Sequence, residues 1–270
     1  MIDCGEGTQL QLRKLHIHFS HINNVFISHL HGDHCFGLIG MISTFSLLGR
    51  TMPLNIYADA LLQKIMKPQL DFFCKGLSYK LIFHDIDASQ HNVIYEDNTI
   101  TVETLPQEHR LPCCGFLFRE KPKKRHIIGE MMEYYKIPEY MRAGIKEGAD
   151  YTTPNGEIIP NSRLTRDADV SRSYAYCSDT LPCPHNNIHI KGVDLLYHEG
   201  TFADDEQKRA KETFHSTARE AATIAKESEA KRLIIGHFSS RYTDESILLN
   251  EAKEIFTFCE LAKEGEIYSI

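Results

Sequence analysis

The sequence contains no tryptophan and no Cys-x-x-Cys pair. The second absence argues against a structural zinc ribbon, whose ligands come in such pairs. No apolar run approaches the ~20 residues that a membrane span needs. No signal segment opens the chain, so the expectation is a cytoplasmic protein with no membrane partner. Excess positive charge is missing too: 30 Lys and Arg face 37 Asp and Glu, a formal net charge of −7. That excludes a protein that coats nucleic acid through its overall charge, but leaves room for an enzyme that grips RNA with a local basic patch. Internal repeats and low-complexity segments are absent. The eight cysteines, Cys4, Cys35, Cys74, Cys113, Cys114, Cys177, Cys183 and Cys259, read as free thiols in a reducing compartment.

What the sequence does have is histidine, 15 of them in 270 residues. The length and an ordinary hydrophobic fraction of 42% suffice for a sizeable core. Apolar spacing predicts helices over 8–15, from after His34 through about Leu48, and over 59–74 and 244–262. Residues 204–229 read as helical with a break near His215-Ser216-Thr217, where Thr217 and Glu220 form a capping box. Short apolar runs predict strands at 25–27, 54–57, 81–83, 99–104, 115–118, 174–176, 193–197 and 233–235. Strands alternating with helices give an α/β or layered α+β domain spanning 1–270. Residues 119–170 differ in texture, rich in Lys, Arg, Glu, Pro and Gly. They read as an insertion with short helices near 127–135 and 139–146, opened by a basic run from Lys121 to Arg125.

The chemistry concentrates in Ser28-His29-Leu30-His31-Gly32-Asp33-His34. Four metal-binding side chains fall within six residues, directly after a buried strand. In an extended stretch His29 and His31 point the same way. Gly32 permits a turn that brings Asp33 and His34 to face the same point. Imidazole and carboxylate suit zinc and similar first-row metals. His109, Asp179 and His237 each follow a predicted strand and are the candidates to complete such a site. His198-Glu199 and His215 lie at a strand end and a helix break, where a carboxylate and an imidazole can form an acid pair.

Taken together, these elements resemble the metallo-β-lactamase fold superfamily, and within it the ribonuclease Z family, the endonucleases that trim the 3′ ends of tRNA precursors. The superfamily match is Ser28–His34. The family match rests on Asp3-Cys4-Gly5-Glu6-Gly7-Thr8-Gln9, Ser178-Asp179-Thr180, His198-Glu199-Gly200-Thr201-Phe202, His215-Ser216-Thr217 and Gly236-His237-Phe238-Ser239-Ser240-Arg241-Tyr242. The resemblance implies a four-layer αβ/βα sandwich with an inserted flexible arm. It implies two Zn2+ per chain, with Mn2+ as an alternative. His29, His31 and His109 would hold one ion, and Asp33, His34 and His237 the other, with Asp179 bridging. Asp33 would act as the base and His215, oriented by Glu199, as the acid. The products would be a tRNA 3′ hydroxyl and a trailer 5′ phosphate.

The same resemblance implies a homodimer whose arm clamps a tRNA precursor. Lys123, Lys124 and Arg125 are then candidate phosphate contacts; Arg241 could meet a phosphate or pair with a carboxylate. The family also carries a β-hairpin ahead of the Asp3 element. The expectation is therefore a first sheet with N-terminal strands missing, and either unpaired strand edges or an exposed apolar patch where residues 1–3 emerge. Another hydrolase of the superfamily, acting on small phosphodiesters or esters, would share the metal ligands; so would an RNA-binding module that has lost turnover. The His215 and His237 elements favour the nuclease.

Overall fold

The computed structural model describes residues 1–270. The chain divides into two compact units. The larger comprises Met1–Asp97, Thr101–Phe118 and Ser173–Ile270; the smaller comprises Asn98–Ile100 and Arg119–Arg172.

Two sheets face each other in the larger unit. The first is parallel, in the order β1 (Asn24–Phe26), β2 (Leu54–Ala58), β3 (Leu81–Asp85). The second contains β4 (Val93–Glu96), β5 (Ile100–Gln107), β6 (Cys113–Glu120), β7 (Ser173–Cys177), β8 (Leu195–Glu199), β9 (Leu233–Gly236) and β10 (Cys259–Leu261), in the order β10-β9-β8-β7-β6-β5-β4. Strands β7 to β10 are parallel neighbours. Parallel strands covered on both faces carry near-continuous apolar runs; all four residues of β9, Leu-Ile-Ile-Gly, are buried. Phe26 of the first sheet meets Phe116 and Phe118 of the second, with ring centroids 5.6 and 5.7 Å apart.

Helices cover both outer faces. Helix Gly37–Leu47 buries Leu38, Met41, Ile42 and Phe45 completely. That is an i, i+3, i+4, i+7 stripe, packed into the core of the first sheet. Over the second sheet, helix Ala218–Glu227 buries Ala218, Ala221, Ala222 and Ala225, small side chains that let it lie close to β8 and β9. The capping box at its start forms as the sequence indicates: the Thr217 hydroxyl accepts from Glu220 N–H, and Glu220 accepts from Thr217 N–H.

Several edges of the fold differ from what the apolar spacing indicates. The helix expected over 244–262 stops at Ile255. Phe256 turns extended, and Cys259–Leu261 instead adds a parallel edge strand to β9. Strand β4 was not expected; it is a short, solvent-facing edge with a register shift between Val93 and Tyr95. The strand expected at 193–197 runs from Leu195 to Glu199, so His198 and Glu199 lie within it. Of the two outcomes expected at residues 1–3, the exposed apolar patch is not formed. The Met1 ammonium donates to Asn24 O at 2.9 Å, Phe26 N–H donates to Met1 O at 2.9 Å, and Asp3 N–H donates to Phe26 O at 2.8 Å. Met1 to Asp3 are half-buried along β1, with Ile2 bridged to Phe26.

The smaller unit has its own core of Met132, Ile137, Ile145, Tyr151, Ile159 and Leu164. Its strands are two-residue pieces: His126–Ile127 pairs with Thr165–Arg166, and Tyr151–Thr152 with Ile158–Ile159. The helix expected over 127–135 is shorter, Gly129–Tyr134, because residues 126–127 are taken by that pairing. The basic run is matched by acids of the same unit. Lys123 pairs with Glu120 at 2.7 Å, Lys124 with Glu147 at 2.8 Å and Arg125 with Asp167 at 2.8 Å.

Candidate active site

The site is built where parallel strands end. β1 stops at Phe26, and one turn of helix, Gly32–Cys35, follows the extended residues. In the second sheet, Cys177 is level with His198 and Glu199 with Gly236. Asp179, Glu199, Thr201 and His237 therefore leave at the carboxyl ends of three adjacent strands, the edge at which open α/β sheets bind ligands.

The N-terminal Asp3–Gly7 element packs directly under the histidine loop. Cys4 N–H donates to His34 O and Gly37 N–H to Cys4 O, both at 2.8 Å. A Cβ on Gly37 would stand 1.9 Å from Gly5 O, and one on Gly5 would stand 2.2 Å from Asp33 O. Only glycine allows the two segments to meet this closely.

Two sets of donor atoms converge around Asp179. His29, His31, His109 and Asp179 each offer one ligand atom, all within 4.8 Å of one another; so do Asp33, His34, Asp179 and His237. Asp179 belongs to both sets. Its Oδ2 lies 3.8 Å from His29 Nε2 and 3.5 Å from His34 Nε2, and its Oδ1 lies 3.4 Å from His237 Nε2. His31 Nδ1 lies 2.9 Å from His29 Nε2 and 3.2 Å from His109 Nε2.

The hydrogen bonds around the rings fix which nitrogens are free. A carboxylate or carbonyl oxygen can only accept. His34 Nδ1–H therefore donates to Asp3 Oδ2 at 2.8 Å, and His109 Nδ1–H to Phe214 O at 3.0 Å. The Ser28 hydroxyl donates to Asp3 Oδ2 at 2.9 Å, leaving its lone pair for His29 Nδ1–H at 3.0 Å. The Thr201 hydroxyl donates to Glu199 Oε2 at 2.6 Å, leaving its lone pair for His237 Nδ1–H at 2.9 Å. In all four rings Nε2 is the nitrogen left facing the centre, where a bound cation would take its lone pair. Such outer partners set the tautomer and orientation of metal-binding histidines. This donor chemistry fits a pair of zinc-class cations: neutral imidazoles and carboxylates, with one carboxylate shared.

The electrostatics point the same way. Burial depresses His29, helped by the neighbouring His34 charge, to about 3. Burial also opposes a charge on His34, but Asp179 and Asp3 outweigh it and push that ring up to about 10. Burial would raise Asp179, yet His34, His237 and His29 hold it well below the usual carboxylate range. The carboxylates thus demand positive charge at the centre.

Beside this lies the acid pair. Glu199 is fully buried, and its Oε1 accepts from His215 Nδ1–H and from Thr180 N–H, both at 2.8 Å. Burial opposes protonation of His215, but Glu199 overrides it and holds its pKa above the ordinary histidine value. The His215 ring stacks on His237 with centroids 5.3 Å apart.

Of the residues singled out in the sequence, the structure brings together His29, His31, Asp33, His34, His109, Asp179, His237, His215 and Glu199. Lys123, Lys124 and Arg125 belong to the smaller unit, each in an ion pair; Arg241 lies 3.9 Å from Glu206. Sequence reasoning missed Asp3, Ser28 and Thr201 as orienting residues. Asp3 could have been suspected, because it leads the Asp3–Gln9 element.

A family model described as anti-Pycsar protein Apyc1 matches residues 1–127. Ribonuclease Z of Bacteroides fragilis is 56% identical over 270 residues, covering 100% of this chain and 89% of that protein. Ribonuclease Z of Porphyromonas gingivalis is 51% identical over 256 residues, covering 95% of this chain and 84% of that protein. Among solved structures, human short-form tRNase Z matches with a TM-score of 0.70 at 26% identity, covering 100% of this chain and 87% of that one. The metallo-β-lactamase fold protein YhfI of Bacillus subtilis matches with a TM-score of 0.64 at 19% identity, which speaks to the fold.

Proposed function

The chain belongs to the ribonuclease Z family, and from that membership we propose that it removes 3′ trailers from tRNA precursors using two zinc ions held around Asp179. Its reaction class is hydrolytic endonucleolysis on the metallo-β-lactamase fold. The observation that carries the zinc reading is the shared carboxylate: Asp179 belongs to both donor sets. His29, His31 and His109 would hold one ion; Asp33, His34 and His237 would hold the other.

When bound, the two ions supply a water activated near neutral pH and positive charge for the attacking and leaving oxygens of the phosphodiester. The residues do the rest. Asp33, with its side chain 68% exposed and 3.5 Å from His34 Nε2, can accept the proton of the attacking water. His215, kept protonated by Glu199, can deliver its Nε2 proton to the departing 3′ oxygen. The products would be a tRNA 3′ hydroxyl and a trailer 5′ phosphate.

We place the protein in the cytoplasm, where tRNA precursors are; no helix is long and apolar enough to cross a membrane. A homodimer is the assembly this reading favours. Phe36, Leu47, Leu61, Ile65, Phe72 and Phe73, on or beside helices Gly37–Leu47 and Ala60–Phe73, expose half or more of their surface. Exposed apolar side chains of this number suit contact with another protein surface.

The test is a metal assay paired with cleavage of a tRNA precursor. His31→Ala should lose bound metal and cleavage together. A His31→Ala protein that cuts precursors without metal would refute the reading.

A further inference from the structure

Glu108, Cys183 and His185 take no part in this chemistry, yet one donor atom from each lies within 4.8 Å of the other two. Cys183 is 4% exposed, whereas Glu108 and His185 face solvent. The backbone around them is stitched together. Leu181 N–H donates to Glu108 O at 3.0 Å, and Glu108 N–H to Thr180 Oγ1 at 3.1 Å. His185 Nε2 lies 3.2 Å from Pro106 O. A carbonyl can only accept, so the proton is on Nε2 and Nδ1 keeps its lone pair.

We propose that Glu108, Cys183 and His185 form a third metal site, separate from the pair around Asp179, that takes a zinc-class divalent ion. A thiolate with an imidazole and a carboxylate selects zinc or cobalt over magnesium or calcium. The Cys183 thiol gives up its proton on coordination, as a ligating thiol does. Bond lengths of ~2.0–2.1 Å to nitrogen and ~2.3 Å to sulfur require ligand atoms roughly 3.3–3.6 Å apart. The two solvent-facing side chains close that gap by rotamer changes, and buried Cys183 is the anchor. Three protein ligands leave a fourth position for water. The ion ties the segment carrying Glu108 and His109 to the segment that follows Asp179. It thereby rivets the backbone that presents two of the residues proposed to hold the paired ions.

The thiolate makes this site readable on its own, since no cysteine belongs to the donor sets around Asp179. Cobalt is titrated into the full chain while the near-ultraviolet thiolate-to-cobalt absorption band is followed. The band should be absent through the first two equivalents, appear with the third, and vanish in Cys183→Ser with the first two ions still bound. If Cys183→Ser does not fold, His185→Ala serves: it keeps the thiol but should weaken the third ion at least about tenfold, no less than loss of an outer-shell partner costs. No thiolate band at any loading, or a band unchanged in both variants, would overturn the site. Because the band reports Cys183 directly, this outcome is distinct from any failure of the paired site or of precursor cleavage.

Discussion

The two units of the chain are built on opposite plans. The larger carries nineteen basic against twenty-eight acidic residues, a net of −9; the smaller carries eleven against nine, a net of +2. The larger holds parallel strands of three to five residues and two extensive cores. The smaller holds two-residue strands around six buried side chains. The acidity of the larger unit has a local use, since carboxylates such as Asp179 and Asp3 create a centre that demands cations. The slight basicity of the smaller unit is largely matched within itself, by pairs such as Lys124 with Glu147. An overall charge of −7 is thus the sum of two different jobs, and it says nothing against a polyanionic substrate.

If the larger unit does the chemistry, damage there should abolish turnover. His215→Ala should cut turnover by about 10²–10⁴, the usual worth of a positioned acid, while metal content stays unchanged. A variant with normal turnover would remove His215 from the mechanism. Asp3→Asn, one step further out, should weaken metal binding by about 10–100-fold, measured by competition with a chelator. It keeps the shape but withdraws the charge that orients His34.

If the smaller unit serves RNA contact, damage there should change affinity and leave chemistry alone. Replacing Lys123, Lys124 and Arg125 with alanine should flatten the salt dependence of tRNA binding by at most about three units of slope. The ion pairs with Glu120, Glu147 and Asp167 predict a smaller change than that ceiling. An unchanged slope would make the run a solvated loop.

A gentler effect separates the metal from the protein that holds it. In metal-stripped protein His34 is held at about 10, raised from 6.5. Its stabilisation is complete below pH 6.5 and is lost as pH rises through 10, so thermal stability should fall across that window. The metal-loaded protein should lack this decline, because a ligating His34 carries no proton there. Melting curves of both forms from pH 6 to 10 decide the matter.

Much of the site was legible because its signals are local. Ser28 to His34 places four donors in one loop, and period-two alternation alone aligns His29 with His31. His109, Asp179 and His237 were legible by a weaker rule, their position just after strands. For Asp3 only its place at the head of the Asp3–Gln9 element was a signal; its orienting role requires residues 1–3 to close against β1 and under His34. Glu108, Cys183 and His185 are 75 or more residues apart across the first gap, and only the stitching of residue 108 to residues 180–181 unites them. In the fold, β4 and β10 escaped for a related reason. Both are short edge strands whose mixed polarity carries no clear period, and β10 follows a helix whose apolar spacing runs on past its end.

The central claim is that one carboxylate, Asp179, serves two metal ions. Native mass spectrometry of the purified chain and of Asp179→Ala, each assayed on a tRNA precursor, tests it most directly. The account predicts two tightly held ions in the parent chain, with both weakened and cleavage lost in Asp179→Ala. An Asp179→Ala protein that keeps both ions and cleaves normally would contradict it.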